Sequence, residues 1–142
     1  LPAPGAGKHP PKYSRPNVQR FGDWFSEINS CVLTGNSPEV RTTTTGGLEN
    51  NTIELRLHFA VPLARQPRIA LNSLPIALRL EGANQDYTVQ LPYSPTTVAH
   101  YMQGDSYLTV SYMPANADAD LEVSFSTSGL VSGVTYLART CH

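Results

Sequence analysis

The side chains of this sequence that could do chemistry are few and scattered. Its four histidines are His9, His58, His100 and His142, and its two cysteines are Cys31 and Cys141. A serine or cysteine nucleophile needs a base held against it, and neither G-x-S-x-G nor H-E-x-x-H occurs. His9 lies in a proline-rich lead and His142 ends the chain, while His58 falls on the polar side of an alternating run and His100 in a short helical segment. Asn116-Ala-Asp118-Ala-Asp120 has the spacing of the first three ligands of a calcium loop. Leu121 then stands where glycine must make the sharp turn, and no glutamate closes the loop, so the stretch reads as a hairpin turn. Asn50-Asn-Thr52 fits the N-glycosylation pattern, which matters only in a eukaryotic secreted protein. These residues predict no catalytic group, no metal ligand and no cofactor.

Cys31 and Cys141 flank the expected folded region, and two readings of them stand. Bonded, they would close a loop of about 110 residues, worth about 4–5 kcal/mol in the chain-entropy model. That reading places the protein in an oxidising compartment. Unbonded, they would be buried small hydrophobes.

Composition narrows the partners. The formal net charge is −1 and only 15% of residues are charged, against about 25% in ordinary domains. Neither nucleic acid nor an anionic membrane surface finds an electrostatic match in such a chain. No apolar run approaches the ~20 residues that span a bilayer. At 142 residues the chain is long enough for one domain with a sizeable core.

The elements that must position these residues follow from hydrophobic period. Residues 1–19 hold Pro2, Pro4, Pro10, Pro11 and Pro16 with little apolar surface, too little to offset the entropy of ordering them. They predict a flexible tether, followed by a single β-domain over 20–142. The numbering opens at Leu1 rather than Met, from which a removed targeting segment is expected. Ile53, Leu55, Leu57 and Phe59 alternate with Glu54, Arg56 and His58, the period-two pattern of a strand with one wet face. Further strands are expected at Ile28–Leu33, Leu74–Leu80, Tyr87–Tyr93 and Val134–Ala138, with an exposed edge strand at Val40–Thr45. Leu108–Tyr112 and Leu121–Phe125 form a hairpin about Asn116–Asp120. Ser94 suits an N-cap, Pro95 the first helical position and Gly104 the C′ position of one short helix. The expectation is an all-β fold, an antiparallel β-sandwich or small barrel with one short helix. Trp24, the single tryptophan, is read as a core anchor.

One surface feature remains. Leu108, Val110 and Tyr112 take one face of their strand, yet Tyr107 and Met113 put apolar mass on the other, with Tyr93, Tyr101 and Met102 nearby in sequence. Either the helix packs across that face, or the five residues Tyr93, Tyr101, Met102, Tyr107 and Met113 line a partner-binding groove.

Two resemblances bear on these readings. The stretch Tyr87-Thr-Val-Gln-Leu-Pro-Tyr-Ser-Pro95, then Tyr107-Leu-Thr-Val-Ser-Tyr112, then Leu121-Glu-Val-Ser-Phe-Ser-Thr127 resembles the YscW family, with Val61-Pro-Leu63 fitting upstream. That family includes pilotin lipoproteins of type III secretion systems, such as the ExsB type. The resemblance implies an outer-membrane lipoprotein on the periplasmic face; the absence of catalytic motifs predicts that the protein is not an enzyme, and a monomer is expected. Its β-sandwich body would bind a secretin segment to aid localisation and assembly of the ring. Membrane attachment would come only through a lipidated cysteine that this sequence does not contain. Phe21-Gly-Asp-Trp24 together with Val123-Ser-Phe-Ser-Thr-Ser-Gly129 is similar to the invasion-associated locus B proteins. That similarity implies a periplasmic or secreted β-sandwich module that binds or inhibits a partner in the bacterial envelope.

Overall fold

The structure, a computed structural model, describes residues 17–75 and 79–141. Most of the expected tether, together with His9, Ile76, Leu78 and His142, lies outside the described residues. The larger sheet takes its strands from β1 (Val18–Phe21), β2 (Trp24–Glu27), β3 (Leu33–Gly35) and β4 (Val40–Thr44). It continues through β5 (Leu48–Glu49) and β6 (Thr52–Phe59). β7 (Arg68–Leu71) and β8 (Leu74–Pro75) belong to the smaller sheet, while β9 (Arg79–Ala83) and β10 (Asp86–Pro92) return to the larger one. After helix α1 (Pro95–Tyr101), the hairpin β11 (Tyr107–Tyr112) and β12 (Leu121–Ser126) completes the smaller sheet, and helix α2 (Thr127–Thr140) follows. The sheet orders are β1-β2-β3-β4-β6-β10-β9, with β5 beside β6, and β12-β11-β7-β8. Both are antiparallel and neither closes on itself, so the fold is an all-β sandwich.

Alternation builds the sandwich. Along β6, Ile53, Leu55, Leu57 and Phe59 are buried, while Arg56 and His58 face solvent. Tyr87, Val89 and Leu91 of β10 pair in register with Leu57, Leu55 and Ile53, so one inner face runs unbroken across the central strands. Against it lie Ile69, Leu71, Leu108, Val110 and Tyr112 of the smaller sheet. Phe59 joins the layers: its ring centroid lies 5.8 Å from Tyr87 and 5.1 Å from Tyr112, within the range of favourable aromatic pairs.

The smaller sheet covers only part of the larger one, and α2 packs against β1, β2 and β3. Here the expected strand at Val134–Ala138 is corrected. The buried residues Leu130, Val134 and Leu137 recur at helical spacing along one stripe of α2. Two glycines bring that stripe close to the sheet. A Cβ at Gly133 would lie 2.5 Å from Leu33 Cδ1, and one at Gly129 would collide with the Phe21 carbonyl oxygen. Gly129 and Gly133 lower helix propensity, which is why the local sequence disguises the helix; close packing outweighs that cost.

Three further expectations change. Ile28–Leu33 is not one strand, because Asn29 takes φ 71° and breaks the run into a loop before β3. β4 is no edge: it lies between β3 and β6, and Val40, Thr42 and Thr44 are buried. The folded part begins before residue 20, since Val18 and Gln19 pair with Glu27 and Ser26. Trp24 is fully buried, its ring 5.2 Å from that of Phe125. The helix expected after Ser94 is α1, with the Ser94 hydroxyl accepting a hydrogen bond from Thr97 N at 3.0 Å.

Cys31 and Cys141 are joined through their sulfurs, with their Cα atoms 5.8 Å apart. The bond ties the end of α2 to the loop between β2 and β3. Of the two sequence readings, the structure carries the bonded one.

Candidate functional site

The structure separates the five residues read as a partner groove. Met102 is fully buried in the core and Tyr93 is only 9% exposed. Burial pushes the Tyr93 phenol above its ordinary pKa. Neither side chain offers a surface to a partner, which corrects their assignment. Met113 is half-buried past the end of β11, six residues and about 20 Å of strand from Tyr107. Tyr101 and Tyr107 are both exposed, and these two the structure does bring together.

Asn72, in the turn between β7 and β8, makes that junction. Its Nδ2 donates to the Tyr101 carbonyl at 3.4 Å, and its Oδ1 accepts from Tyr107 N at 2.9 Å. Ser73 in the same turn hydrogen-bonds the Tyr107 hydroxyl. Beside them lies an apolar hollow of about 250 Å³ lined by Leu71, Leu74, Pro92, Thr97 and Tyr101. Leu74 is 60% exposed at the rim. The hollow opens where α1 carries the chain from one sheet to the other. Its volume is below the usual range of about 300–1,000 Å³ for small-molecule sites, and suits one inserted apolar side chain. Leu71, Leu74, Pro92 and Thr97 escape a sequence reading because they come from four separate elements, β7, β8, β10 and α1.

A second concave surface lies on the outer face of the larger sheet. Register places Phe25 opposite Thr34, Thr34 opposite Thr43, Thr43 opposite Arg56, Arg56 opposite Thr88, and Thr88 opposite Glu81. One row of side chains therefore crosses from β2 to β9, six strands and about 24 Å. Three adjoining hollows of about 650, 350 and 170 Å³ follow this row, and Thr43 lines all three. At one end the Arg20 guanidinium sits 5.9 Å from the centroid of the Phe25 ring. The only sequence signal for this trough is the polar half of each alternating strand, which any half-exposed sheet shows.

The residues screened for chemistry find ordinary partners. His58 Nδ1 lies 2.7 Å from Asp86 Oδ1, a dyad with no hydrogen-bonded nucleophile among the described residues. Both side chains are more than half exposed, so the pair contributes little to stability. Asp120, from the calcium-like spacing, accepts from Arg65 at 2.7 Å and from Arg68 at 2.8 Å; its carboxylate pins the β11–β12 turn to the start of β7 and the segment before it. His100 is exposed on α1.

No family model, no curated protein and no solved structure matches this chain. The segments Phe21–Trp24 and Ser126–Gly129 are in contact. Trp24 Nε1 donates to the Ser126 carbonyl at 2.8 Å, and Ser126 N donates to Asp23 Oδ2 at 2.8 Å. Gly129 meets the Phe21 carbonyl. Those residues hold α2 and the end of β12 to the β1–β2 hairpin, a task in the fold and not at a ligand.

Proposed function

We propose that this domain is a non-catalytic binding module of the bacterial envelope, and that it holds one apolar anchor of a partner segment in the Leu71–Leu74–Tyr101 hollow. The observation that carries the reading is the clustering of Leu74, Tyr101 and Tyr107. They are half of the six exposed large hydrophobic residues of the described surface, and one turn, with Asn72 and Ser73, fixes two of them in place. Apolar anchors in a preformed pocket carry most of the affinity in such contacts. The Cys31–Cys141 bond supports an extracytoplasmic location, since disulfides persist in oxidising compartments.

The resemblance to pilotins nominates the ligand: the C-terminal segment of a secretin, docked as an amphipathic helix with an aliphatic residue in the hollow. On this reading the protein is an outer-membrane pilotin that aids secretin localisation and assembly. Fluorescence anisotropy with labelled secretin-tail peptides tests it. Leu74→Ala and Tyr101→Ala should each weaken binding by about 1–2 kcal/mol, and Met113→Ala should leave it unchanged. Failure of every secretin tail to bind the folded domain would exclude the pilotin reading. Equal affinity in wild type, Leu74→Ala and Tyr101→Ala would instead remove the hollow as the seat.

A second reading, a periplasmic or secreted envelope module whose ligand is not a secretin, rests on the same disulfide together with the resemblance of Phe21–Trp24 and Val123–Gly129 to the invasion-associated locus B proteins.

A further inference from the structure

We infer that β12, an open edge of the smaller sheet, pairs with β12 of a second copy of this chain across a two-fold axis at Val123. Among the described residues β12 has β11 on one side and no strand on the other. The ladder fixes which backbone groups are left over. Thr127 N donates to the Ser106 carbonyl at 3.1 Å, and hydrogen-bonded pairs recur at every second residue of an antiparallel ladder. Phe125, Val123 and Leu121 therefore turn their N–H and C=O groups to β11, while Ser126, Ser124 and Glu122 turn theirs outward. Ser126 is satisfied from within the fold, its N–H by the Asp23 carboxylate and its carbonyl by the Trp24 indole. The outward backbone groups of Glu122 and Ser124 have no protein partner among the described residues.

That pattern is complementary to itself. Antiparallel about an axis at Val123, Glu122 stands opposite Ser124 of the partner subunit, and Ser124 opposite Glu122 of the partner subunit. The two free residues of each strand exchange both their bonds with those of the other, and none is left over. Side chains agree with the backbone. Leu121, Val123 and Phe125 lie on the core side of β12, in register with Tyr112, Val110 and Leu108. Cover thins along that row, from buried Phe125 through half-buried Val123 to Leu121, which is 47% exposed. In the pair, Leu121 comes to lie opposite Phe125 of the partner subunit, and Val123 meets its own copy. Both strands cover an exposed leucine in the same step, which an arbitrary extended peptide does not.

The other edges are guarded. β8 is two residues long and ends in Pro75, β9 carries Arg79 and Glu81, and β1 carries Arg20. Short length, proline and charge are the usual defences of an exposed edge. β12 runs for six residues without proline, lysine or arginine, and Glu122 is its one charge. Glu122 and its copy stand diagonally on the outer face, about 7–8 Å apart, a repulsion that weakens the pair without blocking it. The monomer expected from the sequence is then the dilute form. β8 lies at the far edge of the sheet from β12, so pairing leaves the hollow at Leu74 and Tyr101 open.

Cysteine cross-linking of the full chain tests the axis. The two native cysteines are bonded to each other, so an introduced thiol is the reactive one. A residue on the axis lies about 4.5 Å from its copy between Cα atoms, within disulfide reach, whereas Leu121 is four strand residues, at least about 13 Å, from its own. Under air oxidation Val123→Cys should therefore form a covalent dimer at least about tenfold faster than Leu121→Cys. Exposure alone would give the reverse order, since Leu121 is the more exposed. In sedimentation velocity the wild type should pass from monomer to dimer as its concentration rises into the millimolar range. Ser124→Pro removes an outward N–H and no bond to β11, and should stay monomeric; Glu122→Gln should dimerise at lower concentration. Thermal unfolding checks the fold of each variant, and the cysteine pair decides the matter if Ser124→Pro does not fold. Leu121→Cys cross-linking as fast as Val123→Cys overturns the proposal. So does a wild type that stays monomeric throughout, or a folded Ser124→Pro that dimerises like the wild type.

Discussion

The larger sheet is roofed in two different ways. Over β4, β6 and β10 the cover is a second sheet, and the contact is made by large side chains, Phe59 meeting Tyr87 and Tyr112. Over β1, β2 and β3 the cover is α2, and the contact depends on side chains that are missing, at Gly129 and Gly133. A helix is thicker than a strand and must sink deeper to reach the same core. The first roof is held by area and the second by close approach, with Trp24 filling what remains and the disulfide fastening the far end. The second half should therefore be the more sensitive to single changes.

Removing the pillar of the helical roof should have the largest effect. Trp24→Ala deletes a fully buried ring together with its hydrogen bond to Ser126, and should cost about 3–5 kcal/mol in urea unfolding. The fastening comes next. Replacing Cys31 and Cys141 by serine should lower stability by about 2–5 kcal/mol, with exchange protection lost first in the last turn of α2. Gly129→Ala should cost about 1–3 kcal/mol by overpacking, because its obstacle is a backbone carbonyl that cannot turn aside. Equal sensitivity to exchange of α2 and β11 in these variants would show that the two roofs are one cooperative unit, and would break the comparison.

Smaller effects sharpen it. Thr42 buries a hydroxyl oxygen with no hydrogen-bond partner beneath the sheet. Thr42→Val keeps the shape and removes the unsatisfied atom, and should raise stability by up to about 1 kcal/mol. Under the sheet roof, burial raises the pKa of Tyr93, and burial followed by the charge of Glu39 raises that of Tyr112. Above the ordinary tyrosine value of 10.0, the unfolded chain has released these protons while the folded one still holds them. Stability is therefore full below that pH and falls as the pH rises past it. Spectrophotometric titration should show Tyr93 and Tyr112 ionising above the ordinary tyrosine value. Ionisation at that value would show that the roof opens before they titrate.

Local rules made the first roof legible. Period two in β6 and β10, the polar turn between β11 and β12, and the Ser94-Pro95 start of α1 each announce themselves within a few residues. The second roof was hidden because its decisive interaction, a glycine under Leu33, joins residues 100 positions apart. In isolation, glycines at 129 and 133 argue against a helix. The position of β4 was misread for a related reason: its threonines carry no alternating hydropathy, although Thr42 and Thr44 are buried. Among the surface residues, Tyr101 and Tyr107 lie near each other in sequence and both are exposed. Met102 was misplaced because C-capping α1 directs it into the core. The row from Phe25 to Glu81 exists only through strand register, which no single segment encodes.

The bond between Cys31 and Cys141 also has a mechanical consequence. It turns the chain between them, a separation of 110 residues, into a closed covalent ring that includes β3 to β12 and α2. Tension applied through the two ends of the described chain passes along β1 and β2 to Cys31 and then crosses the sulfurs. Every strand from β3 onward lies off that load path, including the apolar hollow and the trough apart from its Phe25 end. A pull between the ends should extend the β1–β2 hairpin, drawing Trp24 from beneath α2, and then stop at the sulfurs, with no direct load on β3 to β12 until the bond is reduced.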